Sequence, residues 1–170
     1  AQVTGALGVP TIFGVRMWRS GATESAPRIR HNTVMIAGEG GTILGRYDKH
    51  ELVPFGEYTP LSGAFPALGK ALGHAGVFTA GEGLQALEWE GHRAVALVCY
   101  EDILAGYVNE TVAGTDPDLL VNLTNDAWFG DTAEPWIHQA EARLRAIEHR
   151  RYLVRATNSG PSGVVDAVGE

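Results

Sequence analysis

The sequence contains a single cysteine, Cys99, among its 170 residues. One cysteine excludes an internal disulfide, a Cys-x-x-Cys redox pair and every zinc or iron–sulfur site that is built from several cysteines. The six histidines form no His-Glu-x-x-His pair and show no other metal-ligand spacing, so neither a metal site nor another cofactor is expected. Cys99 remains as a reactive thiol or as a small core residue.

Basic side chains and long apolar runs are also scarce. Thirteen Lys and Arg stand against twenty Asp and Glu, and the net charge of −7 argues against a nucleic-acid partner. The longest stretch without a charged residue, Ala1 to Val15, is shorter than the roughly 18 apolar residues that span a bilayer. A hydrophobic content of 45% still supplies a core, and the length fits one domain over residues 1–170.

The 22 glycines lie between short apolar runs rather than at a fixed period. The run Gly38–Gly41 predicts a hairpin turn and not a phosphate-binding loop, because no Lys-Ser/Thr pair follows it. Several of the apolar runs are rich in β-branched residues, which favours strands. The predicted strands are Thr11–Val15, Thr33–Ala37, Thr42–Tyr47, Arg93–Cys99, Asp118–Leu123, Tyr152–Ala156 and Ser162–Val168.

The hydrophobic period becomes helical between Glu134 and Arg151. This pattern predicts a helix with one apolar stripe, the stripe by which such a helix packs on a core. The stripe consists of Ile137, Ala140, Leu144 and Ile147. Strands that alternate with helices, some of them apolar on both faces, predict a layered α/β domain.

Cys99 stands where the apolar run Ala94–Val98 ends, and Tyr100-Glu101-Asp102 and a helix start follow it. A strand-to-helix turn is where α/β enzymes often hold a nucleophile, because the side chain is exposed and helix N–H groups favour a thiolate. A lone cysteine in an apolar strand is more often an inert core residue. The residues alone leave both interpretations open.

A second cluster runs from Tyr47 to Tyr58 and holds Lys49, His50, Glu51 and Glu57 around a Pro-Phe-Gly turn. One interpretation is a solvated charged loop. The interleaved aromatic and apolar residues favour a segment that packs down, and packed ionisable groups have to be paired. A Lys–Glu pair held near a thiol would stabilise an anion and take part in proton transfer.

A third cluster, Thr124–Gly130, directly follows a predicted buried strand, a position that often binds ligands in α/β folds. Its aromatic residues Trp128 and Phe129 would line an apolar pocket or cap the core. Hydrolysis by a Ser/His/Asp triad has no Gly-x-Ser-x-Gly motif to rest on.

Four segments in this order resemble the nitrilase (carbon–nitrogen hydrolase) superfamily, and more closely its apolipoprotein N-acyltransferase branch. They are YDKHELVPFGEYTPL, VALVCYEDIL, NDAWFG and RAIEHRRYLVRATNSG. The resemblance implies an α-β-β-α sandwich that is incomplete at the N-terminus here. The superfamily takes its general-base glutamate from a strand that precedes these residues, and Glu24, in a polar loop, and Glu39, in a hairpin turn, are poor substitutes.

The resemblance also implies roles for single residues. Cys99 would be the nucleophile and Lys49 would stabilise the oxyanion, while Glu57 would position Lys49 or the incoming amine. The remaining candidates would bind substrate or support the site, and they are Tyr100, Glu101, Asn125, Trp128 and Phe129.

The implied reaction moves a fatty acyl group from a membrane phospholipid, through a Cys99 thioester, to the N-terminal amine of a diacylglyceryl-cysteine lipoprotein. The resemblance places the parent enzyme in the bacterial inner membrane, with its catalytic domain facing the periplasm and its membrane segments outside these 170 residues. Without the base glutamate, we expect the 170 residues alone to show little turnover.

Two alternatives remain. A soluble amidase or nitrilase of the same superfamily, which hydrolyses a small amide or nitrile, would share Cys99 and Lys49. The Pro-Phe-Gly-Glu-Tyr and Asn-Asp-Ala-Trp-Phe-Gly strings favour the acyltransferase. The other alternative is a non-catalytic interaction domain that kept the scaffold.

Overall fold

The structure, a computed structural model, describes residues 2–19, 29–61 and 78–170. A three-stranded antiparallel sheet is built from β1 (Thr11–Arg19), β2 (Ile29–Ala37) and β3 (Ile43–Asp48). The predicted turn at Gly38–Gly41 connects β2 to β3, and the φ of Gly41 is +78°, a value that favours glycine. The three sequence-predicted strands of this sheet are confirmed, each with longer or shifted ends.

The second sheet has five strands in the order β4-β5-β6-β7-β8. The three middle strands are parallel, and the two outer ones pair antiparallel to their neighbours. The apolar run from Ala94 to Leu97 is buried throughout, as expected of a parallel strand that is covered on both faces. The strands are β4 (Ala86–Trp89), β5 (His92–Val98), β6 (Leu119–Thr124), β7 (Tyr152–Thr157) and β8 (Gly163–Val165).

The helices are α1 (Gln2–Leu7), α2 (Ala105–Thr115) and α3 (Glu134–His149). The helix start expected after Cys99 is confirmed, with a short 3-10 turn before α2. Two elements, α1 and β4, were not predicted, and β8 is shorter than its prediction. Within the described residues, no helix has the length and apolar content needed to cross a membrane.

The span of α3 agrees with the prediction, but the predicted core stripe is wrong. Ile137 and Leu144 are each 50% exposed. The face that packs inward carries Ala142 and Ala146, whose small side chains let the helix approach the sheet. The same face buries His138 and Arg145, and His138 is held there by an ion cluster described below. Hydrophobic periodicity treats such charged residues as outward-facing, so it selected the opposite face.

Two apolar cores define the layers. One lies between the sheets and is made of Val34, Ile36, Tyr47, Leu87 and Ala96. The other lies between the five-stranded sheet and helices α2 and α3, and it includes Val95, Leu97, Val108, Leu120, Ala142, Ala146, Leu153 and Val165. The described residues thus form three successive layers of the predicted α-β-β-α sandwich, in the order sheet, sheet, helices.

Candidate active site

Cys99 directly follows β5 and begins a short 3-10 turn, Cys99–Ile103, which we call the cysteine turn. Its φ is +55°, a left-handed value that is uncommon for a residue with a side chain. The thiol residue is partly exposed and lines a cavity of about 550 Å³. A backbone forced into this region at the end of a strand is a feature of nucleophile turns, where it lifts the side chain out of the sheet.

Lys49 lies in the loop after β3 and is only 1% exposed. Its Nζ is 2.7 Å from Glu57 Oε2 and 5.4 Å from the centroid of the Tyr100 ring. Glu57 is held in turn by the backbone N–H of Val53, at 2.9 Å from Oε2, and by the side-chain amide of Asn32, which donates to Oε1. The buried ammonium is therefore neutralised by an oriented carboxylate and lies beside the residue that follows Cys99.

Glu101 is fully buried beneath the cysteine turn and does not line the cavity. Its Oε1 accepts hydrogen bonds from the backbone nitrogens of His50 and Glu51, each at 2.9 Å, and from the Tyr47 hydroxyl at 2.8 Å. Its Oε2 accepts from the nitrogen of Val98 at 2.7 Å. Burial raises the pKa of Glu101, and these hydrogen bonds oppose the rise. Glu101, itself a residue of the cysteine turn, therefore connects that turn to the loop after β3 that carries Lys49, residues 49–51, which we call the lysine loop.

Three tyrosines, Tyr47, Tyr100 and Tyr107, lie near Lys49 and Glu101. Burial and the charge of Glu101 raise the pKa of Tyr47, and they raise the pKa of Tyr107 to about 12. The two hydroxyls are 2.7 Å apart. Burial and the charge of Glu51 also raise the pKa of Tyr100, the residue beside Lys49. All three hydroxyls therefore stay protonated near neutral pH, and Tyr47 donates to Glu101.

A second 3-10 turn, Asp126–Phe129, follows β6, and we call it the tryptophan turn. Trp128 is 80% exposed and lines the same cavity as Cys99 and Glu57. Asn125 lines it too, and its Oδ1 accepts from the nitrogen of Ala127 at 3.1 Å. Of the two aromatic residues, Trp128 lines this cavity and Phe129 does not.

The cavity also has residues that the sequence did not single out. Apolar side chains from both sheets form much of its wall, including those of Val15, Val34, Val98 and Leu123. Arg16 and Asn158 add polar groups. Both residues are exposed. Arg16 lies outside the quoted segments, and Asn158 lies in RAIEHRRYLVRATNSG but was given no role there. Their positions, on β1 and in the loop after β7, bring them to the site.

Behind the two turns lies an ion cluster made of Asp102, Asp126, His138 and Arg155, all buried. His138 Nε2 is 2.8 Å from Asp102 Oδ1, and its Nδ1 is 3.3 Å from Asp126 Oδ1. Arg155 Nη1 is 2.9 Å from Asp102 Oδ2, and its Nη2 is 3.2 Å from Asp126 Oδ2. The aspartates belong to motifs noted in the sequence. Arg155 lies in the quoted segment RAIEHRRYLVRATNSG, where it was given no role, and His138 lies outside the quoted segments.

Among the described residues, no group of three or more His, Cys, Asp or Glu side chains is arranged to hold a metal ion. In the ion cluster, the guanidinium of Arg155 supplies positive charge to both aspartates. The site brings together a thiol, a Lys–Glu pair and polar and apolar cavity walls.

Comparison with known proteins places this geometry in a family. The family model for carbon-nitrogen hydrolases matches residues 2–170. The chain is 45% identical over 135 residues to an apolipoprotein N-acyltransferase of Methylococcus capsulatus, with 76% of this chain and 26% of the relative covered. It is 40% identical over 159 residues to the enzyme of that name from Rhizobium meliloti, with 91% and 29% covered. The chain spans about a quarter of the length of these relatives.

Solved structures show the same fold. A mutant of the amidase from Nesterenkonia sp. AN1, with the acetamide moiety of fluoroacetamide added at its active-site cysteine, matches with a TM-score of 0.64 and 24% identity. The match covers 99% of this chain and 58% of the amidase. By its sequence and its sheet-on-sheet architecture, the chain belongs to the carbon-nitrogen hydrolase family.

Proposed function

We propose that this chain carries the acyl-transfer site of an apolipoprotein N-acyltransferase. The observation that supports the proposal is the identity of 38–45% to curated relatives of that name, together with a Cys99 that opens onto the cavity beside the Lys49–Glu57 pair. The donor is a membrane phospholipid, and the acceptor is the N-terminal amine of a diacylglyceryl-cysteine lipoprotein. The setting is the periplasmic face of a bacterial inner membrane.

In the first step, Cys99 Sγ attacks the carbonyl carbon of a phospholipid ester. The carbon–oxygen bond to the glycerol breaks, and the thiol proton ends on the hydroxyl of the released lysophospholipid. Negative charge develops on the carbonyl oxygen only on the way to the tetrahedral state, so an ammonium that binds it there raises the rate. We assign this role to Lys49, whose Nζ is 2.7 Å from Oε2 of the cavity-lining Glu57.

Glu57 is better suited to hold Lys49 than to accept the thiol proton. Its Oε2 is already engaged by Lys49 Nζ and the Val53 nitrogen, and its Oε1 by Asn32. Both oxygens are therefore already occupied by donors, an arrangement that orients the ammonium of Lys49. We assign proton transfer to the glutamate that the family supplies ahead of its lysine motif.

In the second step, the amine of the lipoprotein attacks the thioester carbonyl. The carbon–sulfur bond breaks, an amide forms, and a proton from the amine returns to Cys99 Sγ. The cavity of about 550 Å³ and its valine and leucine walls suit the proximal part of an acyl chain. Trp128 at the edge of this cavity is placed to contact that chain or the incoming N-terminus.

The experiment uses the protein from the complete reading frame, phospholipid vesicles and a synthetic diacylglyceryl-cysteine peptide. Mass spectrometry of the peptide should show the gain of one acyl group with wild-type protein and none with Cys99→Ala. Release of ammonia from small amides without peptide acylation would instead establish the hydrolase alternative. Neither product, together with slow alkylation of Cys99 at neutral pH, would favour the non-catalytic domain.

A further inference from the structure

The three charged residues Asp102, Asp126 and Arg155 of the ion cluster do not balance in charge, and within the described part of the chain His138 is the group in contact with them that can supply the missing positive charge. Asp102 and Asp126 contribute two negative charges and Arg155 one positive charge, and all three side chains are at most 2% exposed. An uncompensated charge in such a place is strongly destabilising. A protonated His138 brings the sum to zero.

The geometry demands the same protonation state. Both ring nitrogens of His138 lie against carboxylate oxygens, Nε2 against Asp102 and Nδ1 against Asp126. A neutral imidazole has one N–H group and one nitrogen that carries a lone pair. The nitrogen with the lone pair would lie against a carboxylate oxygen, and two acceptor atoms would then repel each other. Only the imidazolium donates to both. Burial on its own would lower the pKa of His138, but the hydrogen bond and charge of Asp102, supported by Asp126, outweigh both burial and the repulsion from Arg155 and raise it.

The cluster is tied directly to the candidate nucleophile. Arg155 Nη1 donates to Asn122 Oδ1 at 2.7 Å, and Asn122 Nδ2 donates to the carbonyl oxygen of Cys99 at 3.0 Å. Asp102 belongs to the cysteine turn, and Asp126 is the first residue of the tryptophan turn. His138 bridges the two aspartates from the buried face of α3, and Arg155 bridges them from β7.

We infer that His138 is a positioning residue, an imidazolium clamp that fixes the cysteine turn to the tryptophan turn and opens when His138 loses a proton. The clamp keeps the distance between the Cys99 thiol and the Trp128 side chain constant. This inference rests on the proposed function in one respect, which is that Cys99 is taken as the reacting group. The charged groups that face His138 are Asp102 on the cysteine turn, Asp126 on the tryptophan turn and Arg155 on β7.

The first measurement is a ¹⁵N NMR titration of the His138 ring in the 170-residue chain. We expect both ring nitrogens to carry protons at pH 6.5, and one of them to lose its proton only at a pH above the ordinary pKa of histidine. A single protonated nitrogen at pH 6.5 would overturn the inference. This measurement needs no variant, so it stands even if substitutions in the cluster unfold the chain.

The second measurement is backbone amide exchange in the two turns as a function of pH, corrected for intrinsic exchange. His138→Gln keeps one donor and one acceptor, like the neutral ring, and should lower protection of residues 99–104 and 126–130 by about tenfold or more at pH 6.5. Wild-type protection should fall to the same level as the pH rises through the titration of His138. Protection of β1 and β2 should be unchanged.

Two further variants separate a clamp from a general structural role. Asp126→Asn combined with His138→Gln restores a neutral cluster and should recover protection that His138→Gln alone loses. His149→Gln makes the same substitution on the same helix outside the cluster and should keep the pH profile of the wild type. An equal loss of amide protection throughout the chain would overturn the inference. It would also be overturned if the pH dependence of protection in the two turns persisted in His138→Gln. No acyl donor is used, so failure of the proposed acyl transfer would leave these results unaffected.

Discussion

The backbone nitrogen of His50 donates a hydrogen bond to Glu101 Oε1 across 2.9 Å. This bond joins the residue that follows Lys49 to the cysteine turn, although the partners are 51 residues apart in the chain. It fixes where the lysine loop lies relative to Cys99. One buried carboxylate therefore connects the loop that carries the ammonium to the turn that carries the thiol.

Replacing Glu101 by Gln should destabilise the fold, although the two side chains have nearly the same shape. Both carboxylate oxygens accept from backbone N–H groups, so either orientation of the new amide sets its NH₂ against a donor. We expect the free energy of unfolding to fall by about 2–4 kcal/mol. Urea denaturation measures it.

Glu110→Gln is the matched control, since Glu110 is exposed on α2. Its free energy of unfolding should stay within about 0.5 kcal/mol of wild type. Equal losses in the two variants would refute the role given to Glu101.

The Lys49–Glu57 pair should show strong energetic coupling. Lys49→Met leaves the Glu57 carboxylate without its cation, and Glu57→Gln leaves a buried ammonium without its anion. The double variant removes both problems, so a double-mutant cycle on unfolding free energies should give a coupling of about 2 kcal/mol.

The exposed pair Arg151–Asp116, with Nη2 and Oδ1 3.0 Å apart, serves as the control cycle. Its coupling should stay below about 1 kcal/mol because solvent screens the charges. A Lys49–Glu57 coupling no larger than that of the surface pair would contradict a buried, oriented ammonium.

The stabilising effect of His138 should depend on pH in one direction. Its folded-state pKa is raised, so its contribution is fully present below the unfolded pKa of about 6.5 and is lost as the pH rises through the folded value. The difference in unfolding free energy between wild type and His138→Gln should therefore be larger at pH 6 than at pH 9. Urea denaturation at the two pH values tests this, and a difference that grows with pH would disprove it.

Much of the fold follows from local sequence. The apolar runs of β5 and β6 are strands because both of their faces are covered, and glycine at Gly41 permits the turn between β2 and β3. The apolar run of β5 also predicted that Cys99 lies at the end of a strand. The short strand β4 was not predicted, because four residues are too few to show an alternating pattern.

The inward-facing charges lay beyond sequence reasoning. Asp102 is 36 residues from His138 and 53 from Arg155, and each is stable in the interior only because the others are there. Hydrophobic periodicity assumes that charged residues face water, so it turned α3 the wrong way round. Tertiary pairing decides this face of the helix.

The corrected orientation of α3 makes a prediction of its own. Ala146 is fully buried against the five-stranded sheet, so Ala146→Leu should overpack the core and cost about 1–3 kcal/mol of unfolding free energy. Leu144→Gln, two residues away on the exposed face, should change it by about 0.5 kcal/mol or less. Thermal or urea denaturation measures both losses. A larger loss for Leu144→Gln than for Ala146→Leu would favour the apolar stripe that the sequence predicted.

The proposed function depends on uptake of an acyl group by the Cys99 thiol. Intact-mass spectrometry of the protein from the complete reading frame, incubated with phospholipid vesicles and no acceptor, tests it most directly. We predict a mass increase of one acyl chain that maps to Cys99, is removed by neutral hydroxylamine and is absent in Cys99→Ala. An unmodified Cys99 in folded protein, or the same adduct in Cys99→Ala, would contradict the account.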